Sequence, residues 1–327
     1  MANETGILVL GEVAEGKLTT FSTELLGAAR RLEGAGGAVS CALLGSAVES
    51  AAQDAIAFGA DKVYVVEDPA LADYSTDGWV QAMQKVVGEA NPAIIIIGQS
   101  NIGRDVAPRL AFRLNTTACM DCLELSVSDG KLSATRGSWG GNARSVHSFN
   151  TMPQIATVRV KSQEPLERDE SRAGEVVKVD AGIDPSTIRT KLLERKEVSA
   201  EGVRLEDAEV IVGGGRGIGS EEGFKVLEDL AGQLAGAVGA TRAACDMGWR
   251  PVADQIGLTG KVVSPTLYIA VALSGASQHM AGCSGAKNII AVNKDSEANI
   301  FKLSRFGIVE DYKKVMPALL EAIKKLG

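Results

Sequence analysis

The chain has 327 residues, of which 45% are hydrophobic and 23% charged, a composition typical of a globular protein long enough for two domains. Its 41 acidic residues outnumber its 34 lysines and arginines, and the net charge of −7 argues against a general nucleic-acid-binding protein. The longest apolar run, residues 93–97, is far too short to span a bilayer, and no secretory signal is visible, so we expect a cytoplasmic protein.

The first third of the chain alternates short β-branched runs with amphipathic segments, which is typical of a parallel sheet covered by helices. We predict strands over residues 6–13, 38–45, 62–67 and 93–98, each followed by a helix. Further along, Ser128-Asp129-Gly130 separates two alternating runs, residues 122–127 and 131–136, and this pattern predicts a hairpin that adds an antiparallel extension. Another strand is predicted over residues 154–160, before a polar, exposed loop over residues 161–171.

A second α/β series follows a polar stretch, so we place a domain boundary near residue 197, giving domains of residues 1–196 and 197–327. The second series comprises predicted strands 208–212, 267–273 and 288–292 and predicted helices 221–234 and 312–326. The expected fold class is α/β, with two open, mostly parallel sheets whose ligand-binding loops gather at the carboxyl ends of their strands.

The five cysteines are an odd number in a chain of this length, which favours reduced thiols over a disulfide framework. Cys119 and Cys122 have the Cys-x-x-Cys spacing of redox dithiols and metal sites. A redox dithiol is expected at the start of a helix, whose dipole lowers the thiol pKa, but residues 116–127 are predicted as a loop entering a strand. Because no second Cys-x-x-Cys accompanies the pair, we interpret both cysteines as structural.

A glycine-rich turn, residues 213–219, lies between a strand and a helix of the second series and is the first candidate nucleotide site. Free backbone N–H groups at such a turn can bind a phosphate. The spacing is not Gly-x-Gly-x-x-Gly, and no acidic residue ends a strand about 20 positions later, so a routine NAD-type site is not favoured. A tight turn that exposes Arg216 explains the sequence as well as a nucleotide site does.

Two polar groups lie among small residues further along the chain. Arg242 follows Thr241 in a stretch of small residues, where either Asp246 or a ligand would pair with it unless the side chain is simply solvated. Its planar guanidinium could also stack on a flat ring. In the loop 255–261, glycines flank Thr259, which could donate a hydrogen bond to such a ring, although a plain turn is the favoured interpretation.

The strongest candidate is the apolar strand that runs directly into residues 274–279, because a strand, a small-residue turn and a helix start predict an anion site. The helix dipole would disfavour a protonated His279, so a negative group would be needed to keep it charged. Asn293 and Asp311 follow short predicted strands, where each could bind a base or ribose or instead cap the next helix. The other histidine, His147, is predicted in a loop and interpreted as structural or interfacial.

Taken in order, residues 213–216, 241–244, 257–261, 267–279 and 291–295 resemble the C-terminal domain of electron-transfer flavoprotein α subunits. The resemblance is close over residues 205–327 and looser over the N-terminal half. It implies a non-covalent FAD in a Rossmann-like C-terminal domain. It also implies a heterodimer, in which the N-terminal domain contacts a β subunit that carries AMP or a second FAD.

The resemblance also implies roles for individual residues. Arg216 and residues 274–277 would hold the pyrophosphate region of FAD. Thr241 and Arg242 would approach the cofactor, with Arg242 against the isoalloxazine ring, and Thr259 would reach flavin N5.

Along the ribityl and pyrimidine side of the flavin, the resemblance places Gln278 and His279. At the adenosine it places Asn293, Asp311 and Tyr312. The complete set of implied cofactor-binding residues is Arg216, Thr241, Arg242, Ile256, Gly257, Leu258, Thr259, Ser274, Gly275, Ala276, Ser277, Gln278, His279, Asn293, Asp311 and Tyr312.

Three positions depart from the residues that are usual in the family: Thr241 replaces serine, Leu258 replaces glutamine and Ser277 replaces an aliphatic residue. These departures bear on the reduction potential of the flavin. Reduction places negative charge near flavin N1 and O2, so Arg242 and a protonated His279 would raise that potential.

The activity that the resemblance implies is that of an electron carrier and not of a catalytic enzyme. Such a carrier accepts electrons from flavoprotein dehydrogenases of the acyl-CoA dehydrogenase type, as in fatty acid β-oxidation, and passes them to a quinone reductase or another acceptor. The alternatives are an electron-bifurcating variant working with NADH and ferredoxin, a stand-alone nucleotide-dependent oxidoreductase, and a purely structural nucleotide-binding subunit. The stand-alone oxidoreductase has little support, since the sequence offers two histidines and no metal-ligand cluster.

Overall fold

The computed structural model describes residues 5–32, 36–139, 143–194 and 203–325. These residues form two compact units, the first built from residues up to 138 and from 144 to 194, the second from residues 203–325 together with Trp139 and Ala143. The boundary predicted near residue 197 falls in the stretch 195–202, which lies outside the described residues, and it stays a prediction. No helix of the described ranges combines the length and apolar character needed to cross a membrane.

The first unit contains a nine-stranded sheet in the order β11-β5-β4-β1-β6-β10-β7-β8-β9. Its elements are β1 (Ile7–Gly11), β2 (Val13–Ala14), β3 (Lys17–Leu18), α1 (Thr20–Arg31), β4 (Val39–Gly45), α2 (Ala52–Ala57), β5 (Lys62–Glu67), α3 (Thr76–Ala90), β6 (Ile94–Gly98), α4 (Asn101–Arg113), β7 (Ala118–Ser128), β8 (Lys131–Ser138), β9 (Ala143–Ser148), β10 (Gln154–Val158) and β11 (Glu175–Lys178). β7 and β8 pair antiparallel, whereas β1, β4, β5, β6, β10 and β11 pair parallel with their neighbours. The short strands β2 and β3 form a separate antiparallel pair.

The four parallel strands predicted at the start of the chain are confirmed, and burial on both faces explains their continuous apolar sequences. In β1, Val9 belongs to a core with residues of α1 and α2, whereas Leu8 and Leu10 belong to a core with residues of α3 and α4. The predicted hairpin of β7 and β8 is also confirmed. Asp129 and Gly130 turn the chain with φ values of 51° and 73°, which is the geometry that favours Asp-Gly.

Two strands of this sheet lie where the sequence predicts none. The loop predicted around His147 is wrong, because this residue lies in β9 at one edge of the sheet. β11 lies at the opposite edge of the sheet. Both β9 and β11 are largely exposed and polar, so neither shows the hydrophobic alternation that reveals a strand. β7 also begins earlier than predicted, and as a result Cys119 and Cys122 both lie within a strand.

The second unit contains five parallel strands in the order β13-β12-β14-β15-β16. From β12 the chain first adds β13 on one side and then crosses to β14 on the other, so the strand order reverses between β12 and β14. The elements are β12 (Val210–Gly214), α5 (Lys225–Gln233), β13 (Ala237–Ala240), α6 (Arg242–Asp246), β14 (Leu267–Val271), α7 (Ser277–Cys283), β15 (Asn288–Asn293), α8 (Ile300–Leu303), β16 (Phe306–Val309) and α9 (Tyr312–Lys324).

The predicted strands 208–212, 267–273 and 288–292 correspond to β12, β14 and β15, and the predicted helices correspond to α5 and α9. β13 was not predicted, whereas β16 is the short strand expected before Asp311. β13 reads Ala-Val-Gly-Ala, a composition of low β-propensity, and β16 is a short, exposed edge strand. Together the two units confirm the expected fold class, two mostly parallel α/β sheets with an antiparallel extension on the first.

Candidate functional site

A cleft of about 460 Å³ opens at the carboxyl ends of β12 and β14, where the strand order of the second unit reverses. Open α/β sheets bind ligands in crevices of this kind. Thirteen of the predicted cofactor-binding residues line the cleft: Arg216, Thr241, Arg242, Ile256, Gly257, Leu258, Thr259, Ser274, Gly275, Ala276, Gln278, His279 and Asn293. Stretches far apart in the sequence therefore meet at one site.

Three predicted residues do not line the cleft. Ser277 is the first residue of α7 and is exposed. Asp311 caps α9, its carboxylate accepting a hydrogen bond from the N–H of Lys313 at 2.9 Å, which confirms the capping alternative for this residue. The buried side chain of Tyr312 lines a different cavity, where its hydroxyl donates to the carbonyl oxygen of Ile218 at 2.7 Å. Adenosine contacts from the Tyr312 side chain therefore have no support in this structure.

The glycine-rich turn after β12 is shaped by packing inside the protein. A Cβ on Gly213 would overlap the hydroxyl of Tyr268, and one on Gly215 would lie 2.5 Å from Cα of Leu273. The N–H of Gly215 donates to Val271 at 3.0 Å, and that of Gly217 donates to Ala272 at 3.1 Å. These two N–H groups are thus not free for a phosphate, which corrects the expectation for this part of the turn and supports the tight-turn alternative.

The turn after β14 forms the opposite wall of the cleft and is built from small residues. Gly275 has a φ of 75°, and a Cβ there would lie 2.5 Å from the backbone nitrogen of Ile300. That nitrogen donates to the carbonyl oxygen of Ser274 at 3.0 Å, which fixes the turn against the start of α8. The predicted succession of strand, small-residue turn and helix is confirmed by β14, residues 272–276 and α7.

Thr241 contributes a hydroxyl that the protein itself does not satisfy. Its backbone N–H donates to the carbonyl oxygen of Gly214 at 3.0 Å, which holds the residue at the end of β13. Its side-chain oxygen is buried and has no hydrogen-bond partner among the described residues. A buried hydroxyl without a partner is costly, so this group on the wall of the cleft is suited to pair with a bound molecule.

Arg242 lies beside Thr241 on the cleft wall but is largely exposed. Its Nε is 3.4 Å from a carboxylate oxygen of Asp246, and the two side chains are 68% and 64% exposed. The Asp246 alternative for its partner is therefore confirmed. An exposed ion pair of this type is weak, which leaves the guanidinium able to turn toward a ligand at little cost.

The loop before β14 closes a further side of the cleft. The N–H of Leu258 donates to the carbonyl oxygen of Gln278 at 2.8 Å, which ties the loop to the start of α7. Thr259 accepts a hydrogen bond from the amide of Gln255 at 3.0 Å, so its own hydroxyl proton remains available to a ligand. Leu258, at the position where the family usually has glutamine, is 68% exposed.

His279 is buried at the back of the cleft with both ring nitrogens hydrogen-bonded. Because a carbonyl oxygen can only accept, Nδ1–H donates to Ile256 at 3.0 Å, and Nε2 then accepts from the hydroxyl of Tyr268 at 2.8 Å. Burial lowers the pKa of His279 to about 4, an effect that outweighs the opposing hydrogen bond to Ile256. The ring is therefore neutral near neutral pH, as the helix dipole alone would favour, and the described residues that line the cleft include no negative group that would keep it charged.

Asn293 ends β15 at the rim of the cleft. Its amide nitrogen donates to the carbonyl oxygen of Leu273 at 2.9 Å, and its oxygen accepts from the N–H of Asp295 at 3.0 Å. The side chain thus organises the loop after β15. It does not cap α8, which begins only at Ile300.

Among the described residues, those that line the cleft and carry charge are both cations, Arg216 and Arg242, and none of them is a carboxylate. A site with positive charge, small-residue walls and an unsatisfied hydroxyl suits a ligand that carries an anionic diphosphate and hydrogen-bonding rings. These features agree with the chemistry of FAD.

Some lining residues were not predicted, although every one lies in a stretch that the sequence singles out. They are Gly217, Ala243, Gln255, Ala272 and Leu273. Most are small or apolar and offer no chemical signal, so that only their position beside polar neighbours could have indicated them. Gln255 is the exception, because its amide orients Thr259.

Comparisons with known proteins agree with this site. Residues 7–184 match the family model described as the electron transfer flavoprotein domain, and residues 204–284 match the electron transfer flavoprotein FAD-binding domain. The chain is 45% identical to an electron transfer flavoprotein subunit alpha of Thermoanaerobacterium thermosaccharolyticum and 43% identical to that of Bacillus subtilis, with 98% of each chain covered. It is also 40% identical to the protein FixB of Clostridium saccharobutylicum, over 100% of this chain and 98% of that protein. The chain therefore belongs to the electron transfer flavoprotein family, among its α subunits.

Proposed function

We propose that this chain binds one FAD in the cleft of its second unit and carries electrons as one half of a heterodimer with a β subunit. The observation that carries the proposal is the cleft itself, where the described lining residues include two arginines and the unsatisfied hydroxyl of Thr241 but no carboxylate. The match to an FAD-binding family domain over residues 204–284 supports the same assignment.

Different residues of the cleft wall would bind different parts of the cofactor. Arg216 and the turn of Ser274, Gly275 and Ala276 would bind the diphosphate, since both lie at the carboxyl ends of central strands. Thr241 would donate the hydrogen bond that it lacks inside the protein. Bound FAD would supply the redox chemistry, because the flavin ring exchanges electrons singly or in pairs.

Three side chains would act on the flavin ring. Arg242 would lie against it and stabilise negative charge on its reduced form, and Thr259 would donate its free hydroxyl proton toward N5. His279, held neutral by burial, would contribute shape and a fixed dipole, but no charge. In this proposal, Arg242 is therefore the main positive group near the ring.

The proposal extends to partners. The β subunit would contact the first unit and would carry AMP. Electrons would come from flavoprotein dehydrogenases of the acyl-CoA dehydrogenase type, as in fatty acid β-oxidation, and would pass to a quinone reductase or another acceptor. This direction of flow, like a cytoplasmic location, rests on the family membership alone.

The cofactor content of the heterodimer tests the proposal. The chain should be purified with its β partner, its visible absorption spectrum recorded, and the released nucleotides counted by chromatography. We expect a yellow complex with one FAD and one AMP per heterodimer. Two FAD per heterodimer would favour the bifurcating variant, and a colourless complex would contradict the proposal.

A replacement in the α chain shows whether the flavin is bound in this cleft. Arg216→Ala removes a cleft cation, and we expect it to lower FAD retention while AMP retention stays unchanged. Arg305→Ala is the matched control, because Arg305 is an arginine of the same unit that bonds Asn288 away from the cleft. Equal FAD retention in both variants would count against the assigned position.

A further inference from the structure

Cys119 and Cys122 lie on one face of β7, although residues at i and i+3 of a regular strand point to opposite faces. Cys119 pairs with Ala156 and Cys122 with Val158 on the neighbouring strand β10, and the register shifts between these two pairs. Ala156 and Val158 alternate by two and so face the same side of the sheet, and so do the two cysteines. A β-bulge therefore aligns thiols that a regular strand would point to opposite faces.

The bulge is held by specific contacts around Asp121. This residue has a φ of 62°, and its N–H donates to the hydroxyl of Thr157 at 2.7 Å. Its carboxylate accepts two hydrogen bonds from Arg159, at 3.0 Å from Nε and 2.6 Å from the terminal nitrogen. A bidentate ion pair fixes orientation as well as distance, so the alignment of the thiols is built into the strand.

The two cysteines contact each other. The Cys122 thiol donates a hydrogen bond to the carbonyl oxygen of Cys119 at 3.4 Å, and the neighbouring Cys122 thiol lowers the pKa of Cys119 to about 7. The presence of Cys119, together with burial, raises the pKa of Cys122. Cys41 lies in the same core but has no thiol partner, and burial raises its pKa to about 12. The pair thus consists of one thiol that ionises readily and one that keeps its proton.

A positive charge stands next to the pair. Arg136 on β8 lies directly opposite Cys122, and its charge adds to the lowering of the Cys119 pKa. Its Nε is buried and has no hydrogen-bond partner in the part of the chain that the structure describes. An unsatisfied cationic donor beside two thiols is the environment that stabilises a thiolate.

We propose that Cys119 and Cys122 form a thiol modification site, which low-molecular-weight disulfides convert to an intrachain disulfide. The Cys119 thiolate attacks one sulfur of the small disulfide, forming a mixed disulfide and releasing one small thiolate. The sulfur of Cys122 then attacks the Cys119 sulfur while its proton passes to the departing small thiolate, which forms the internal disulfide and releases the second small thiol. Two protein thiols are oxidised, and one small disulfide is reduced to two thiols.

This proposal departs from the interpretation of the pair as structural. That interpretation assumed that a redox pair needs a helix start to ionise one thiol. In β7, the bulge, the neighbouring Cys122 and Arg136 perform that function within a strand. The two cysteines lie in the first unit, whereas the cleft lies in the second.

Mass spectrometry tests the proposal directly. The chain, purified with its β partner, is exposed to hydroxyethyl disulfide at neutral pH, quenched with acid, denatured and alkylated with iodoacetamide. Tryptic cleavage after Arg113 and Lys131 gives one peptide, residues 114–131, that contains both cysteines. We expect this peptide to be unalkylated and lighter by two hydrogen atoms, and to regain both alkyl groups after reduction with dithiothreitol.

Single replacements identify the order of the two steps. In Cys122→Ser the mixed disulfide on Cys119 cannot resolve and should accumulate, whereas in Cys119→Ser residue 122 should stay unmodified. Cys41→Ser is the control and should behave like the wild type. A peptide that carries two alkyl groups after exposure of the wild type would overturn the proposal.

A rate measurement keeps the test independent of the variants. In the unmodified protein near neutral pH, Cys119 should react with iodoacetamide at least about tenfold faster than Cys41, because the thiolate is the nucleophile. Equal rates for the two cysteines would contradict the assigned role of Cys119.

Discussion

The buried hydroxyl of Tyr268 donates a hydrogen bond to Nε2 of His279. The other ring nitrogen, Nδ1, donates to the carbonyl oxygen of Ile256, so both nitrogens of the ring are hydrogen-bonded. The ring is thereby fixed as the Nδ1–H tautomer. Protonation would require the Tyr268 hydroxyl to turn from donor to acceptor and would leave its own proton without a partner. The pair therefore opposes a positive charge at the back of the cleft.

The first prediction concerns the pH dependence of stability. Burial lowers the pKa of His279 from 6.5 to about 4, so between these values the unfolded chain binds a proton that the folded chain does not. This contribution is present above the unfolded pKa and is lost as pH falls toward the folded one. From about pH 7 to about pH 5, we expect His279 to cost the second unit about 2 kcal/mol of unfolding free energy.

Chemical denaturation at a series of pH values, compared between the wild type and His279→Gln, isolates this contribution. The variant lacks the titrating ring, so its unfolding free energy should fall less between neutral pH and pH 5. All other titrating groups are shared and cancel in the difference. Parallel curves for the two proteins would show that His279 titrates normally.

The second prediction concerns Tyr268→Phe. The replacement leaves Nε2 of His279 buried without a donor, and we expect a loss of about 1–3 kcal/mol of unfolding free energy. It should also change the visible spectrum of the FAD-loaded heterodimer, because His279 lines the cleft. Urea unfolding and absorption spectroscopy measure the two effects.

Tyr312→Phe is the matched control for that replacement. It also removes a buried hydroxyl, here the one that donates to Ile218, so we expect a comparable loss of stability. Tyr312 lines a separate cavity, and the flavin spectrum should therefore stay unchanged. A spectral change in the Tyr312 variant alone would reverse our placement of the two tyrosines.

The third prediction concerns Thr241→Val. The buried hydroxyl of Thr241 has no partner among the described residues, so its removal should not destabilise the cofactor-free chain and should raise its unfolding free energy by up to about 1 kcal/mol. The same change should weaken FAD binding about tenfold, since a hydrogen bond to the cofactor is lost. Thermal unfolding and a fluorescence titration with FAD provide the two measurements.

Thr259→Val is the control for Thr241→Val, because it also removes a hydroxyl from the wall of the cleft. The Thr259 oxygen accepts a bond from Gln255, so its removal should destabilise the cofactor-free chain as well as weaken FAD binding. We therefore expect the two replacements to have opposite effects on the stability of the cofactor-free chain and similar effects on FAD binding. If Thr241→Val destabilises the chain as much as Thr259→Val does, its hydroxyl has a partner inside the protein.

The cleft shows which features of the site could be predicted from the sequence and which could not. Strand, turn and helix patterns were enough to select the stretches that form the cleft, because the carboxyl ends of neighbouring parallel strands must meet. The helix dipole already indicates a neutral His279, but burial and the bond from Tyr268, eleven positions away on a different element, reinforce that state and could not be predicted from the sequence. The burial of the Tyr312 side chain in the core of the second unit could not be predicted either, because the resemblance that places it at the adenosine gives a position and not its packing.

The fourth prediction concerns the glycines. A Cβ on Gly215 would meet the backbone of Leu273, which cannot move without distorting the turn after β14, so we expect Gly215→Ala to destabilise the second unit by about 1–3 kcal/mol. Gly232→Ala is the control, because it lies in α5 with open space around it and should stabilise by about 0.5–1 kcal/mol. Denaturant unfolding of both variants should show opposite signs, and a stable Gly215 variant would contradict the close packing of the two turns.

The fifth prediction concerns the proposed role of Arg242 as the main positive group near the flavin ring. Because His279 is neutral, Arg242→Ala should lower the reduction potential of the bound FAD by several tens of millivolts, near the ~59 mV that correspond to a tenfold change in a one-electron equilibrium. Dye-coupled potentiometry of the heterodimer measures this shift.

Asp246→Asn provides the control for Arg242→Ala, because it breaks the same exposed ion pair and leaves the guanidinium in place. Each replacement should change the unfolding free energy by less than about 1 kcal/mol, since exposed ion pairs contribute little. The potential should fall in Arg242→Ala and stay level or rise in Asp246→Asn, where the arginine is freed from its carboxylate. Equal potentials in the wild type and Arg242→Ala would mean that the guanidinium stays with solvent and that the ring is stabilised by backbone groups of the cleft.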